Sequence, residues 1–368
     1  MAKKGVDQNH NPSKESLLEE FLTETLLLHH GKTVFQPMKK WQTFKSAPSV
    51  LLLTGQVGIG KYALGFFLAR WLLCQNPNSS PYPAPCSTCG ACLKTQAGCH
   101  TGLIQILSEE DAGPLKIDQF RALKSSVGFG TFDEDIKVIL IPQIERMTSQ
   151  AANSVLKLLE EPPTGWKFIL TTHDATLVLP TLVSRCQSLQ LKPLPRAEIL
   201  KQLMKDGLDH SRSEVCAELS QGSWDKAISL AGEEAWEQRK VIVKFIQEPH
   251  ATFHSLVDWA LQKNSHLQTI VDVLEHLTQD LLIWSAHFPP PPTENYSWKN
   301  RDAQAELTFH AKLQVKKPGG LVAARTFWLD RAQRLSESRE ESLLPVNRKI
   351  FIQDLLLPWL GDPLGCPR

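Results

Sequence analysis

At 368 residues the chain is too long for one small core and long enough for two or three domains. Hydrophobic residues make up 42% and charged residues 21%, the balance of an ordinary globular protein and not of a disordered or fibrous one. A formal net charge of +1 supplies no strong global field for nucleic acid. No apolar run approaches the roughly 20 residues of a membrane span, so no membrane partner is expected.

The chain begins with a polar stretch over 1–15 that lacks the apolar core of a signal peptide, and it is expected to be disordered. The expected compartment is the cytoplasm. "SLLEEFLTETLLLHH" carries apolar residues at helical spacing. "PSVLLLTG" is a short apolar run ending in glycine, which predicts a buried parallel strand. "YALGFFLARWLLC" then places Leu64, Phe67, Leu68, Trp71 and Leu72 on one stripe of a helix. The alternation continues. "LIQIL" predicts a strand and "IDQFRALKSSVG" a helix; "KVILIP" predicts a strand and "SQAANSVLKLLEEPP" a helix stopped by two prolines. "WKFILTT" predicts a strand, "VLPTLVSRC" a short helix and "QSLQL" a last strand. Strands separated by helices imply an α/β domain over 1–195 with a five-stranded parallel sheet covered on both faces. Beyond it the pattern is helical only. A small helical unit is expected over 196–232 and an all-α domain over 233–368, interrupted by a proline-rich loop near 289–300.

Between the first strand and its helix lies "GQVGIGKY". It is one residue from the phosphate-binding pattern G-x-x-x-x-G-K-[ST]. Gly55, Gly58 and Gly60 allow the tight backbone that turns N–H groups toward phosphates, and Lys61 is placed to reach β- and γ-phosphates. Tyr62 stands where a small hydroxyl would hold Mg²⁺, and a phenol is too long for that role. A phosphate-loop ATPase also needs an acid at the end of a later strand. After "KVILI" the chain has Pro142 and Gln143, and Glu145 comes only on the following turn. Two metal supports are lost on opposite sides of one ion, so the site is expected to be silent.

Of eight cysteines, four fall between Cys74 and Cys92. In a reducing compartment such a cluster predicts metal before disulfide. Cys86, Cys89 and Cys92 form C-x₂-C-x₂-C, and a tetrahedral zinc site needs a fourth ligand. By spacing, Cys74, Cys99 and His100 all compete for that place. Four sulfurs would close the shell, so the metal would be structural. Cys186, Cys216 and Cys366 read as ordinary packed or exposed thiols.

The stretches "LLLTGQVGIGK", "RWLLC", "CSTCGAC", "ERMTSQAANSVLKLLEEPP", "FILTT" and "LVSRC" together resemble the delta prime subunits of bacterial DNA polymerase III clamp loaders, within the AAA+ clamp-loader family. The resemblance spans about residues 50 to 190. It implies an AAA+ domain, a helical lid and a C-terminal collar. The partners it implies are gamma/tau and delta subunits in a hetero-pentamer, a sliding clamp and primer-template DNA. It implies that Cys74 completes the structural Zn²⁺ site with Cys86, Cys89 and Cys92. It also implies that Arg185, with Ser184 in the "SRC" motif, acts as an arginine finger in a neighbour's ATP site, and that this chain hydrolyses no ATP of its own. Thr171 and Thr172 occupy the sensor region of the "FILTT" strand. The gamma/tau motor is the nearest rival. It would carry Thr or Ser at position 62, an acidic pair at 142 and 143, and a lid arginine about where Asp225 stands. A free-standing phosphoryl-transfer enzyme is the more distant alternative, and it would need a second-metal acid that the sequence does not offer.

Overall fold

The computed structural model describes residues 46–77, 84–108, 113–128, 136–262, 264–287, 296, 298–341 and 347–360. The polar stretch 1–15, the expected helix "SLLEEFLTETLLLHH", most of the proline-rich segment and Cys366 lie outside them. The chain divides into two compact units. The first runs as far as Glu198 and includes Gly222–Asp225; the second takes Ile199–Gln221 and the chain from Lys226 onward.

The first unit is built on a five-stranded sheet of order β2-β3-β4-β1-β5. Its strands are β1 (Val50–Thr54), β2 (Leu103–Gln105), β3 (Lys137–Ile141), β4 (Trp166–Thr172) and β5 (Gln187–Gln190). Every pairing is parallel. The helices are α1 (Lys61–Leu73), α2 (Gly90–Gln96), α3 (Ile117–Gly128), α4 (Ser149–Glu160) and α5 (Pro180–Val183). The expected strand "LIQIL" is thus shorter than its apolar letters, because only Leu103–Gln105 pair with β3.

Alternation along the strands sends side chains to both faces. Val50, Leu52, Ile139, Ile141, Phe168 and Leu170 share one core with Phe120 of α3 and with Ala151, Val155 and Leu159 of α4. Leu51, Leu53, Val138, Leu140 and Ile169 are buried as well. There α1 lies close enough that a Cβ on Gly65 would come within 2.9 Å of Leu140 Cδ1. Burial of each such Val, Leu or Ile contributes about 1.5–3 kcal/mol. α1 is buried on more than the expected stripe, since Lys61, Ala69, Arg70 and Leu73 are covered too. α4 starts on Thr148, whose hydroxyl accepts from Ala151 N at 3.2 Å, and stops before Pro162 and Pro163, which cannot continue a helix.

In register, Leu53 and Thr54 lie opposite Thr171 and Thr172, and Ile141 opposite Leu170. The carboxyl ends of β1 and β4 are therefore level, and β3 ends two residues before them. That end of a parallel sheet is where ligands bind in open α/β folds.

The second unit has helices and no strand among its described residues. The last residues of α6 (Arg196–Lys205) belong to it, with α7 (His210–Leu219) and most of α8 (Trp224–Ala231). α9 (Glu233–Gln247), α10 (Pro249–Gln262), α11 (Asn264–Ala286), α12 (Gln304–Val315), α13 (Gly320–Glu341) and α14 (Arg348–Leu356) follow. Their core includes Ile242, Phe245, Leu256, Leu274, Trp298, Trp328 and Leu355. Arg239 is buried there, its Nε 2.7 Å from Asp302 Oδ2 and its Nη2 2.6 Å from Asn300 Oδ1. Of the apolar run at 350–357, Ile352, Leu355 and Leu356 enter this core, whereas Ile350 and Leu357 stay exposed.

Candidate functional site

The glycine loop joins the end of β1 to α1. Gly55, Gly58 and Gly60 all have positive φ, at 144°, 77° and 89°. Gly58 is required for a second reason. A Cβ there would lie 2.2 Å from Ser223 Oγ and 3.1 Å from Asp225 Cβ. Segment 222–225 packs against the loop, and Asp225 N donates to Gly58 O at 3.2 Å.

Lys61 does not extend toward open space. It is buried, and its Nζ donates to Gly55 O and Gln56 O, both at 2.6 Å. Burial pulls its pKa down, and the carboxylates of Glu145 and Asp225 partly offset that. Burial pushes the Asp225 carboxyl up, and Lys61 opposes it. An acid thus stands beside the loop and its lysine.

Tyr62 points away from any metal role. Its phenol donates to Gln105 Oε1 at 2.5 Å and stacks on Phe66. Across the sheet, Gln143 takes a left-handed conformation, with φ 53°, and its N–H donates to Thr171 Oγ1 at 3.1 Å. Thr172 Oγ1 is engaged with the backbone of Asp174. Both sensor-region threonines therefore serve the local backbone. Glu145 lies on a 3₁₀ turn, Ile144–Arg146, with its carboxylate covered and one oxygen 2.5 Å from His173 Nδ1.

At the other end of α1 the thiols converge. Sγ of Cys74, Cys86, Cys89 and Cys92 all lie within 4.8 Å of one another. Cys74 Sγ and Cys89 Sγ are 3.9 Å apart, and Cys86 Sγ and Cys92 Sγ 4.0 Å. A tetrahedron with Zn–S bonds of about 2.3 Å has edges of about 3.8 Å, so the set fits zinc. Backbone N–H groups support the sulfurs: Cys86 N donates to Cys74 Sγ and Cys89 N to Cys86 Sγ, each at 3.3 Å. N–H donation from Thr88 and Cys89 brings the Cys86 thiol down to about 5, toward the thiolate that a metal needs. Burial pushes Cys92 up to about 12.

The competing ligands are engaged elsewhere. Cys99 is exposed and its thiol donates to Lys94 O, while His100 Nδ1 accepts from Gly102 N at 3.0 Å. Cys186 and Cys216 are packed thiols, pushed by burial to about 11.

Arg185 follows α5, and its guanidinium is held within the chain. Nε donates to Glu160 Oε1 at 2.8 Å, and Nη2 donates to the same oxygen. Nη1 donates to Thr181 O at 2.6 Å and to Ser184 Oγ at 3.3 Å. The sequence shows Arg185 only within "SRC" and carries no signal for Glu160 as its partner. The "LEEPP" and "SRC" motifs had each been visible, but not their meeting. Nor does the sequence place Asp225 against Gly58.

The family model described as "DNA polymerase III, delta subunit" matches residues 31–195. A Pseudomonas aeruginosa DNA polymerase III subunit delta' is 36% identical over 203 residues, which is 54% of this chain and 60% of that protein. An Escherichia coli DNA polymerase III subunit delta' is 30% identical over 324 residues, covering 83% of this chain and 87% of that protein. A DNA polymerase III subunit gamma from the Acyrthosiphon pisum strain of Buchnera aphidicola is 32% identical over 162 residues, 43% of each chain.

Proposed function

This chain belongs to the DNA polymerase III subunit delta' family, and on that premise we propose that it is a non-hydrolysing member of a clamp loader. It joins gamma/tau and delta subunits in a hetero-pentameric ring. That ring opens a sliding clamp and places it on primer-template DNA in the cytoplasm. Residues 1–195 form the AAA+ domain, 196–232 the lid and 233–368 the collar through which the ring assembles.

The observation that carries the silent-site reading is the loop itself. Its lysine is tied to Gly55 O and Gln56 O, and the hydroxyl that should hold Mg²⁺ is a phenol bonded to Gln105. Pro142 and Gln143 supply no carboxylate on the opposite side. The Asp225 carboxyl beside the loop adds a charge that phosphate would meet unfavourably.

Arg185 is the residue that acts, and it acts on a neighbour. A guanidinium there contacts γ-phosphate oxygens and stabilises the charge of transfer, an effect worth about 10³–10⁵ in rate in GTPases. The four-thiol cluster holds Zn²⁺, which supplies no chemistry beyond cross-linking the segment after α1, because a closed shell leaves no position for water. Steady-state ATP hydrolysis is the test, measured on this chain alone and on the loader assembled with and without it. The chain alone should show none. Robust Mg²⁺-dependent turnover by the purified chain would overturn the reading.

A further inference from the structure

The "LEEPP" and "SRC" stretches meet through one contact between side chains. Glu160 closes α4, and Arg185 lies 25 residues further along. Of the five N–H donors on a guanidinium, four point at groups of this chain. Nε and Nη2 share Glu160 Oε1, and Nη1 serves Thr181 O and Ser184 Oγ. The same donors cannot serve a phosphate at the same time. Glu160 also stands at a helix C-terminus, where the helix dipole disfavours a negative charge, so its placement calls for a cation beside it.

We propose that Glu160 is the latch of Arg185. It holds the guanidinium in cis, and Arg185 exchanges this carboxylate for the γ-phosphate of a nucleoside triphosphate presented by a neighbouring subunit. The proposal rests on the reading of Arg185 as acting in trans. The exchange is possible because the pair is not sealed: the two side chains are 31% and 43% exposed. An exposed ion pair is weakly held, while a phosphate offers the same planar fork a stronger charge-assisted set. Glu160 is therefore a positioning residue that sets how readily the finger leaves.

The experiment uses the loader reconstituted with the full chain, and measures steady-state ATP hydrolysis without and with clamp and primed DNA. The variants are Glu160→Gln, Glu160→Asp, Arg185→Ala and the double variant E160Q/R185A. Glu160→Gln should raise the unstimulated rate of the one site that Arg185 serves roughly 1.5- to 5-fold, the population equivalent of an exposed ion pair, and the loader's total rate by less. Stimulation by clamp and DNA should shrink by the same factor. Glu160→Asp, which keeps the charge, should fall between wild type and Gln. In the Arg185→Ala background, Glu160→Gln should change nothing. Three outcomes overturn the latch: an unstimulated rate unchanged by Glu160→Gln, a rate lowered by it as by Arg185→Ala, or an equal effect in both backgrounds. If Arg185→Ala itself leaves the rate unchanged, the trans-acting reading fails and the latch fails with it. If Arg185→Ala slows the loader and Glu160→Gln does not alter it, only the latch fails. A purely structural pair would move the unfolding midpoint of Glu160→Gln without altering the ratio of stimulated to unstimulated rates.

Discussion

One helix carries a site at each end. At its start, Lys61 and the loop from Gly55 keep the backbone of a phosphate site; at its end, Cys74 joins three other thiols. The loop keeps its glycine turn, but Lys61 bonds the loop's own carbonyls and the Tyr62 phenol bonds Gln105. The thiol cluster has the ligands at the distances a metal demands. The difference teaches that a conserved-looking turn is weak evidence of chemistry. Convergence of the reacting or ligating atoms is strong evidence.

The largest effect expected is on the complete site. Cys89→Ser should take bound zinc from one per chain to none by elemental analysis. Zinc binding in small structural sites is worth about 10–16 kcal/mol, so the segment around 84–92 should become sensitive to protease while the sheet stays folded. Full zinc retention after Cys89→Ser, or after loss of Cys74, would break the contrast between the two ends of α1.

The glycine-loop end of the comparison is sharpened through Arg185, proposed above to act on a neighbouring site. Arg185→Ala should slow the one neighbouring site it serves by about 10³, or about 4 kcal/mol. The whole ring should slow only partly, since other subunits serve the other sites. Folding and zinc content should be unchanged, because Glu160 is left near the surface and not buried. Arg185→Lys should rescue poorly, since an ammonium cannot reproduce the planar fork. Equal hydrolysis rates for wild type, Ala and Lys would reduce Arg185 to a surface cap.

A region with neither site serves as the control. His310, in the second unit, is buried between Phe327 and Trp359, and burial holds its pKa down to about 4, with Lys317 and Arg331 adding to the effect. Its folded pKa lies below the unfolded value of about 6.5, so the folded state favours the neutral ring. Stability is then complete above pH 6.5 and is lost as pH falls toward 4, by roughly 3 kcal/mol in total. Denaturant unfolding at pH 7 and pH 4.5 checks this, and His310→Phe should flatten the difference. A second unit equally stable at both values in the wild type would refute it.

The smallest effect is expected from a single change in the glycine loop. Tyr62→Thr should leave ATP turnover by the isolated chain at zero, because positions 142 and 143 still provide no acid and Lys61 still bonds its own loop. Turnover appearing on this single change would show that the loop was a whole site lacking one hydroxyl.

What the sequence determined by itself was set by short-range rules. Short continuous apolar runs place the strands and helical spacing places α1, since both are local patterns. Glycine spacing places the loop at the end of β1, and C-x₂-C-x₂-C places three thiols within reach of one ion. The tertiary structure alone decided what depends on chain segments meeting. Spacing leaves Cys99 and His100 as competitors to Cys74; the fold brings Cys74 to the cluster, while Lys94 O and Gly102 N take the others. Asp225 lies far along the chain from Gly58 and comes to it only because segment 222–225 returns to the first unit. Glu160 and Arg185 are separated by a whole strand, and only the turn of the sheet between α4 and α5 makes them neighbours. No local propensity encodes such meetings; they follow from how buried faces pack, and packing is a property of the whole chain.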